Sequence, residues 1–198
     1  MKKTCRCILG AGFLLASLGV LGLDGLADGI VTELPASPWT TVLGELKSLK
    51  FERAPYHLLK RSRAYDHDIL IETPMARAAA YVQANKKDPK ALAPEAVARA
   101  FDPSRLIIET KTFNHAIEHS QGVLLALRVD GRVLQPVKDD LISTTLKSVG
   151  FYADPLYVTI KQFMFSMDDI RGAKAMSVMI IEPDNTTYEL PLDLARLK

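Results

Sequence analysis

The stretch from Met176 to Leu192 constrains the fold more than any other. Met176-Ser177-Val178-Met179-Ile180-Ile181 is apolar at nearly every position, Glu182-Pro183-Asp184-Asn185 supplies turn chemistry, and Thr186 to Leu192 returns with alternation. This order predicts a β-hairpin. Pro183 presets φ at the second turn position and Asn185 tolerates a left-handed backbone, so the reversal has a mechanism. The first arm sets Met176, Val178 and Ile180 on one face and Met179 and Ile181 on the other, so both faces need cover from the rest of the chain.

That cover is expected from more strands. From Ser104 onward the apolar period changes from 3.6 to 2. Arg105–Phe113, Gly122–Val129, Arg132–Val137 and Leu156–Phe165 read as strands, and Leu141–Val149 as either a strand or a short helix. Asp130-Gly131 is the strongest hairpin signal, and a two-residue turn there pairs Val129 with Arg132 and Leu127 with Leu134. Pro136 places the return arm at a sheet edge or near its own end, and Pro191 marks a second candidate edge. Before the strands, Asp68–Glu72 is a short apolar run. Thr73-Pro74 then opens a helix whose Met75, Ala79 and Val82 share a face, and Pro94–Phe101 is a second helix that ends at Asp102-Pro103. Alanine-rich helices with narrow apolar stripes are expected to lie against the sheet. The fold class is therefore α+β, mainly an antiparallel β-sandwich, immunoglobulin-like in size, with two short helices after the first strand.

The remaining segments divide the chain. Lys2, Lys3 and Arg6 precede an uncharged run of 17 residues, Cys7–Leu23, and the small residues Gly25-Leu26-Ala27 follow, the layout of a signal peptide over residues 1–27. Four glycines and the shortness of the run argue against a permanent span, so a membrane is met only through an uncleaved signal. Taking Lys2, Lys3 and Arg6 from 25 basic residues and Asp24 from 23 acidic ones leaves 22 of each. A nucleic-acid partner is not implied by that balance. Both cysteines, Cys5 and Cys7, leave with the signal, so the mature chain depends on its packed core. Residues 28–66 read as an irregular or partly helical arm. Ser37 as cap and Pro38 at the first position open a helix with Val42, Leu46 and Leu49 on one stripe, followed by a basic, aromatic stretch over 51–63 that reads as a solvated face. Residues 67–198 form the sandwich, with helices near 74–87 and 94–101.

One motif carries chemistry. His115-Ala116-Ile117-Glu118-His119 fits H-x-x-E-H, in which two histidines four apart on a helix bind zinc and the glutamate activates the bound water. Its segment is short and flanked by strands, so the ordinary reading is a loop, and a zinc site at His115 and His119 with Glu118 as catalytic group is the alternative. Tyr65-Asp66-His67-Asp68 sets an imidazole between carboxylates, either a polar turn or a further ligand source. Asp168 and Asp169 read as loop residues before calcium ligands, and Asn185-Thr186-Thr187 is a glycosylation acceptor in a turn. No nucleophile elbow, phosphate loop or dinucleotide fingerprint occurs. The expectation is a periplasmic or secreted, non-enzymatic module without cofactor. Its partner would be another envelope or extracellular protein or a polysaccharide. A metal-dependent hydrolase using zinc is the alternative.

Overall fold

The computed structural model describes residues 30–31, 33–49, 56–61, 66–147 and 155–197, with the side chains of 56–61, 66 and 196 left aside. The signal over 1–27, both cysteines and the side chains of the basic stretch 51–63 lie outside the described residues.

Among the described residues, nine strands form two antiparallel sheets. β1 (Tyr56–Arg61), β2 (Asp66–Glu72), β3 (Arg105–Asn114), β7 (Leu156–Ser166) and β6 (Lys138–Lys147) make a five-stranded sheet in the order β1-β2-β3-β7-β6. β5 (Arg132–Leu134), β4 (Leu124–Val129), β8 (Met176–Ile181) and β9 (Thr187–Pro191) make a four-stranded sheet in that order. β3 alternates without a break, each even-numbered residue from Leu106 to Asn114 being buried, as a strand with one face on a core must. Ile71, Leu106, Ile108, Phe163 and Phe165 of the first sheet and Leu125, Leu127, Met176, Val178 and Ile180 of the second meet in one buried cluster.

Both hairpins form where turn chemistry places them. Val129 lies opposite Arg132 and Leu127 opposite Leu134. Asp130 and Gly131 both take positive φ, 46° and 85°, as the two-residue turn requires. Asn185 takes φ 66° in the β8–β9 turn, where its N–H donates to the Glu182 carbonyl at 2.9 Å. Both predicted edges are edges, β5 and β9. β8 lies between β4 and β9 with Met176, Val178 and Ile180 buried, whereas Met179 and Ile181 on its other face are only half-buried. The segment Leu141–Val149, open between strand and short helix in the sequence, is strand as far as Lys147, within β6, and its last two residues lie outside the described residues. β1 is not anticipated, because the adjacent Leu58 and Leu59 break the alternation that marks a half-buried strand.

Among the described residues, four α-helices accompany the sheets: α1 (Trp39–Ser48), α2 (Pro74–Ala84), α3 (Pro94–Phe101) and α4 (Ile117–Gln121). Thr73 caps α2, accepting the Ala76 N–H at 3.1 Å, and Pro74 takes the first position. α1 starts one residue later than predicted, with Pro38 at the cap and no side-chain acceptor there. Among the described side chains, α1, α2 and α3 bury Val42, Leu46, Met75, Ala78, Ala79, Val82, Val97 and Phe101 in a cluster of their own. The expectation that the alanine-rich helices lie on the sheet is thereby corrected. α1 gives the small side chains of α2 a helical partner that they can approach closely. No described helix is long and apolar enough to cross a membrane.

Candidate functional site

Residues that could carry chemistry gather at one end of the five-stranded sheet. Strand register sets its core-facing side chains in rows: Ile71, Ile108 and Phe163; then Ile69, Thr110 and Lys161; then His67, Thr112 and Thr159. The first row is apolar and the third polar, although all nine side chains are buried. α4 and the β8–β9 turn lie at this end. They approach each other closely, since a Cβ on Gly122 would stand 3.0 Å from Pro183 Cγ.

Thr110 Oγ1, in the middle row, is buried with no hydrogen-bond partner among the described residues, whereas the polar groups around it hold one another. Gln121 Nε2 donates to Thr144 Oγ1 at 3.1 Å, and Thr144 and Thr159 hydroxyls stand 3.2 Å apart. Thr159 and Ser120 hydroxyls stand 2.7 Å apart, and Ser120 Oγ donates to the Ile117 carbonyl at 2.9 Å. One direction of donation, from Gln121 through Thr144, Thr159 and Ser120 to Ile117, supplies every acceptor in the chain. Lys161 Nζ donates to the carbonyls of Val123 at 3.0 Å and Gln121 at 3.4 Å and to Asp139 Oδ2 at 3.1 Å, and lies 5.1 Å from the Phe163 ring centre. A buried ammonium is thus placed on carbonyls at the end of α4, where the helix dipole favours a cation.

His67 binds groups far from it in sequence. Its Nδ1 stands 3.2 Å from Thr112 Oγ1 and its Nε2 3.3 Å from Glu182 Oε1. Hydroxyl, imidazole and carboxylate follow the order found in nucleophilic catalysis. Thr112 and His67 are each 1 % exposed and Glu182 3 %, so the set is closed off from solvent. The three groups join β2 and β3 to the end of β8.

The H-x-x-E-H segment takes a different form from the one its pattern implies. Only Ile117–Gln121 is helical, Ala116 at its cap is extended (φ −115°, ψ 125°), and His115 precedes it. His115 and His119 therefore do not share a helical face, which is the geometry that gives the pattern its meaning. His115 Nδ1 lies 3.0 Å from the Pro155 carbonyl, to which it donates. Glu118 and His119 are exposed on α4. His119 is one of the smaller influences holding the Asp184 carboxyl below its usual range, the largest being the Thr186 N–H that Asp184 accepts at 2.9 Å. Among the described residues no three His, Cys, Asp or Glu side chains are gathered as a metal cage, so His67 is not brought to His115 and His119. Asp168 and Asp169 lie in a 3-10 turn, Met167–Asp169, and the Asp168 N–H is accepted by Ser166 Oγ. Asn185, Thr186 and Thr187 are exposed in and beside the β8–β9 turn.

Sequence reasoning missed Glu182 and Lys161. Glu182 has no local signal, since 115 residues separate it from His67. Lys161 had one: in the strand 156–166 it shares its parity with Thr159, Phe163 and Phe165, the buried set.

A second feature is exposed rather than buried. β6 is an outer strand of ten residues paired with β7 on one side, and Leu141, Ile142 and Leu146 on it are 52 %, 51 % and 56 % exposed. Comparison with protein-family models, with curated proteins and with solved structures found no match.

Proposed function

We propose that this protein is an exported, non-enzymatic β-sandwich, immunoglobulin-like in size, that binds an envelope or extracellular partner by taking an extended strand at the outer edge of β6. The sandwich reading is supported by the core that the two sheets share. Export is supported by the basic, apolar and small-residue order of residues 1–27. The observation that carries the binding reading is β6 itself. An edge strand offers a row of unpaired main-chain donors and acceptors, and proteins blunt such edges with short length, charge or cover. β6 carries Lys138, Asp139, Asp140, Lys147 and a bulge at Ile142, and still keeps ten residues and three exposed large apolar side chains. Main-chain pairing supplies affinity in strand addition, and side chains on alternate positions supply selectivity. The buried hydroxyl, imidazole and carboxylate set is a strut within this framework.

The test compares capture from envelope extract by the wild-type chain and by the Leu141→Lys, Leu146→Lys variant. Both side chains are exposed, so the variant is expected to keep the wild-type unfolding midpoint while losing the captured species. Equal capture by the two chains would remove β6 as the binding edge.

A further inference from the structure

The strand offered at β6 can be worked out from β6 itself. The register against β7 slips once: Leu141 lies opposite Lys161 and Ser143 opposite Ile160, so Ile142 is an extra residue in a β-bulge. Residues directly opposite in a sheet share a face. Leu141, Thr144 and Leu146 therefore lie on the core-facing side with Lys161, Thr159 and Tyr157, and Asp140, Ser143, Thr145 and Lys147 lie on the other. In an unbroken strand, residues 141 and 146 would point to opposite faces. The bulge brings the two leucines onto the same one.

We propose that the occupant of the β6 edge is a second copy of this chain, paired antiparallel through a twofold axis at Thr144. The inference rests on the strand-addition reading above. Thr144 then lies opposite its own copy, Ser143 opposite Thr145, Leu141 opposite Leu146 and Asp140 opposite Lys147, with Ile142 extra in each strand. Every pair joins residues of one face, as an antiparallel ladder requires, and every pair but the central one occurs twice because the contact is isologous. Opposite charges and matched apolar side chains meet at the directly opposed positions that stabilise a sheet. Asp140 is already held by Lys138 of its own strand at 2.6 Å, so Lys147 of the second copy would complete a pair of cations around it. The neighbouring register, with the axis at Ser143, sets Lys147 against Lys138 and Leu146 against Asp139. Charge chooses between the two.

The experiment uses the full chain carrying Cys5→Ser and Cys7→Ser, followed by light scattering and sedimentation up to about 100 µM, a concentration at which a Kd of about 10 µM gives mostly dimer. The expected result is a dimer that Asp140→Lys or Lys147→Asp weakens about tenfold or more and that the two substitutions together restore. In the same background, oxidised Thr144→Cys is expected to link two chains, because the axis sets each Cβ against its copy, while Thr145→Cys stays unlinked. A monomer throughout this range overturns the proposal. So does a dimer indifferent to the charge exchange, or one in which Thr145→Cys links as readily as Thr144→Cys. A monomer that still loses its captured envelope species with Leu141→Lys, Leu146→Lys overturns self-pairing and leaves strand addition standing.

Discussion

Arg77 shows how much one side chain holds in place. Its guanidinium, on α2, donates to the carbonyls of Glu72 at 3.0 Å, Phe101 at 3.3 Å, Asp102 at 2.8 Å and Arg105 at 2.8 Å. It thereby ties the end of β2, the end of α3 and the start of β3 to one helix. A planar fork of donors suits such divergent acceptors, and a point-charge ammonium does not. Arg77→Met is expected to cost about 3 kcal/mol in urea unfolding, because charge-assisted bonds are lost and carbonyls are left without a donor. Arg77→Lys should recover less than half of that. A loss under about 1 kcal/mol for Arg77→Met would show that water replaces the guanidinium without penalty. The neighbouring Glu72 makes a prediction of opposite sign. Burial, and then the nearby Glu109 carboxylate, push its carboxyl above the ordinary 4.5, and Arg77 draws it only partly back. The folded chain therefore holds this proton more tightly than the unfolded one does. Stability from this group is present at low pH and is lost as pH rises from 4.5 through the raised folded value. Glu72→Gln removes that dependence, so the variant should gain on wild type between pH 4 and pH 7, read as the difference in urea midpoints. A difference that shrinks over that interval would contradict the assignment.

At the scale of elements, what the chain discloses depends on how local the cause is. Turn chemistry is local, so Asp130-Gly131 and Pro183–Asn185 gave both hairpins, the first with its register. Helix starts at Thr73-Pro74 and at Pro94 were both readable, since a proline at the first helical position is preset for the helix, and Thr73 adds a capping hydroxyl that Ala93 lacks. The second task of the same residues was not readable. Asp130 Oδ1 also accepts the N–H groups of Lys174 and Ala175, at 3.0 and 2.9 Å, and so fastens the β4–β5 turn to the segment entering β8. Asp130→Ala is expected to cost about 2 kcal/mol, from two lost bonds to a carboxylate and a left-handed position without an asparagine-like side chain. Asp130→Asn should keep more than half of it, because its amide oxygen accepts at the same place. Equal losses for the two would mean that charge, and not the pair of bonds, fixes the turn. The polar layer was hidden for the same reason. Its members come from β2, β3, α4, β6, β7 and the end of β8, and only the sheet register brings them together. The H-x-x-E-H pattern presumes a helix beginning by His115, and the chain is still extended at Ala116.

For the whole molecule, the separation of two apolar clusters carries a dynamic consequence. The sheet cluster contains Phe163, Phe165, Leu106, Leu125, Leu127, Ile108 and Ile180, all at most 1 % exposed, and draws on strands distant in sequence. The helical cluster sets Ala76, Ala78 and Ala79 among Val42, Leu46, Met75, Val82, Val97 and Phe101, so its buried side chains are fewer and on average smaller. Apolar area removed from water scales with side-chain size, at about 25 cal/mol per Å², so the alanine-rich cluster stabilises itself less per residue. Such a region opens below the free energy of global unfolding. Amides of α1, α2 and α3 are therefore expected to exchange with deuterium through an opening about 2 kcal/mol or more less costly than that of β3 and β7. Val82→Ala, which opens a void in the helical cluster alone, should widen that gap by about 1 kcal/mol or more without altering protection in β3. If Val82→Ala lowered protection equally in helices and strands, the two clusters would be one cooperative unit, held together by the Arg77 joint. Arg77→Met would then separate them, and the helices would begin to exchange ahead of the sheets only in that variant.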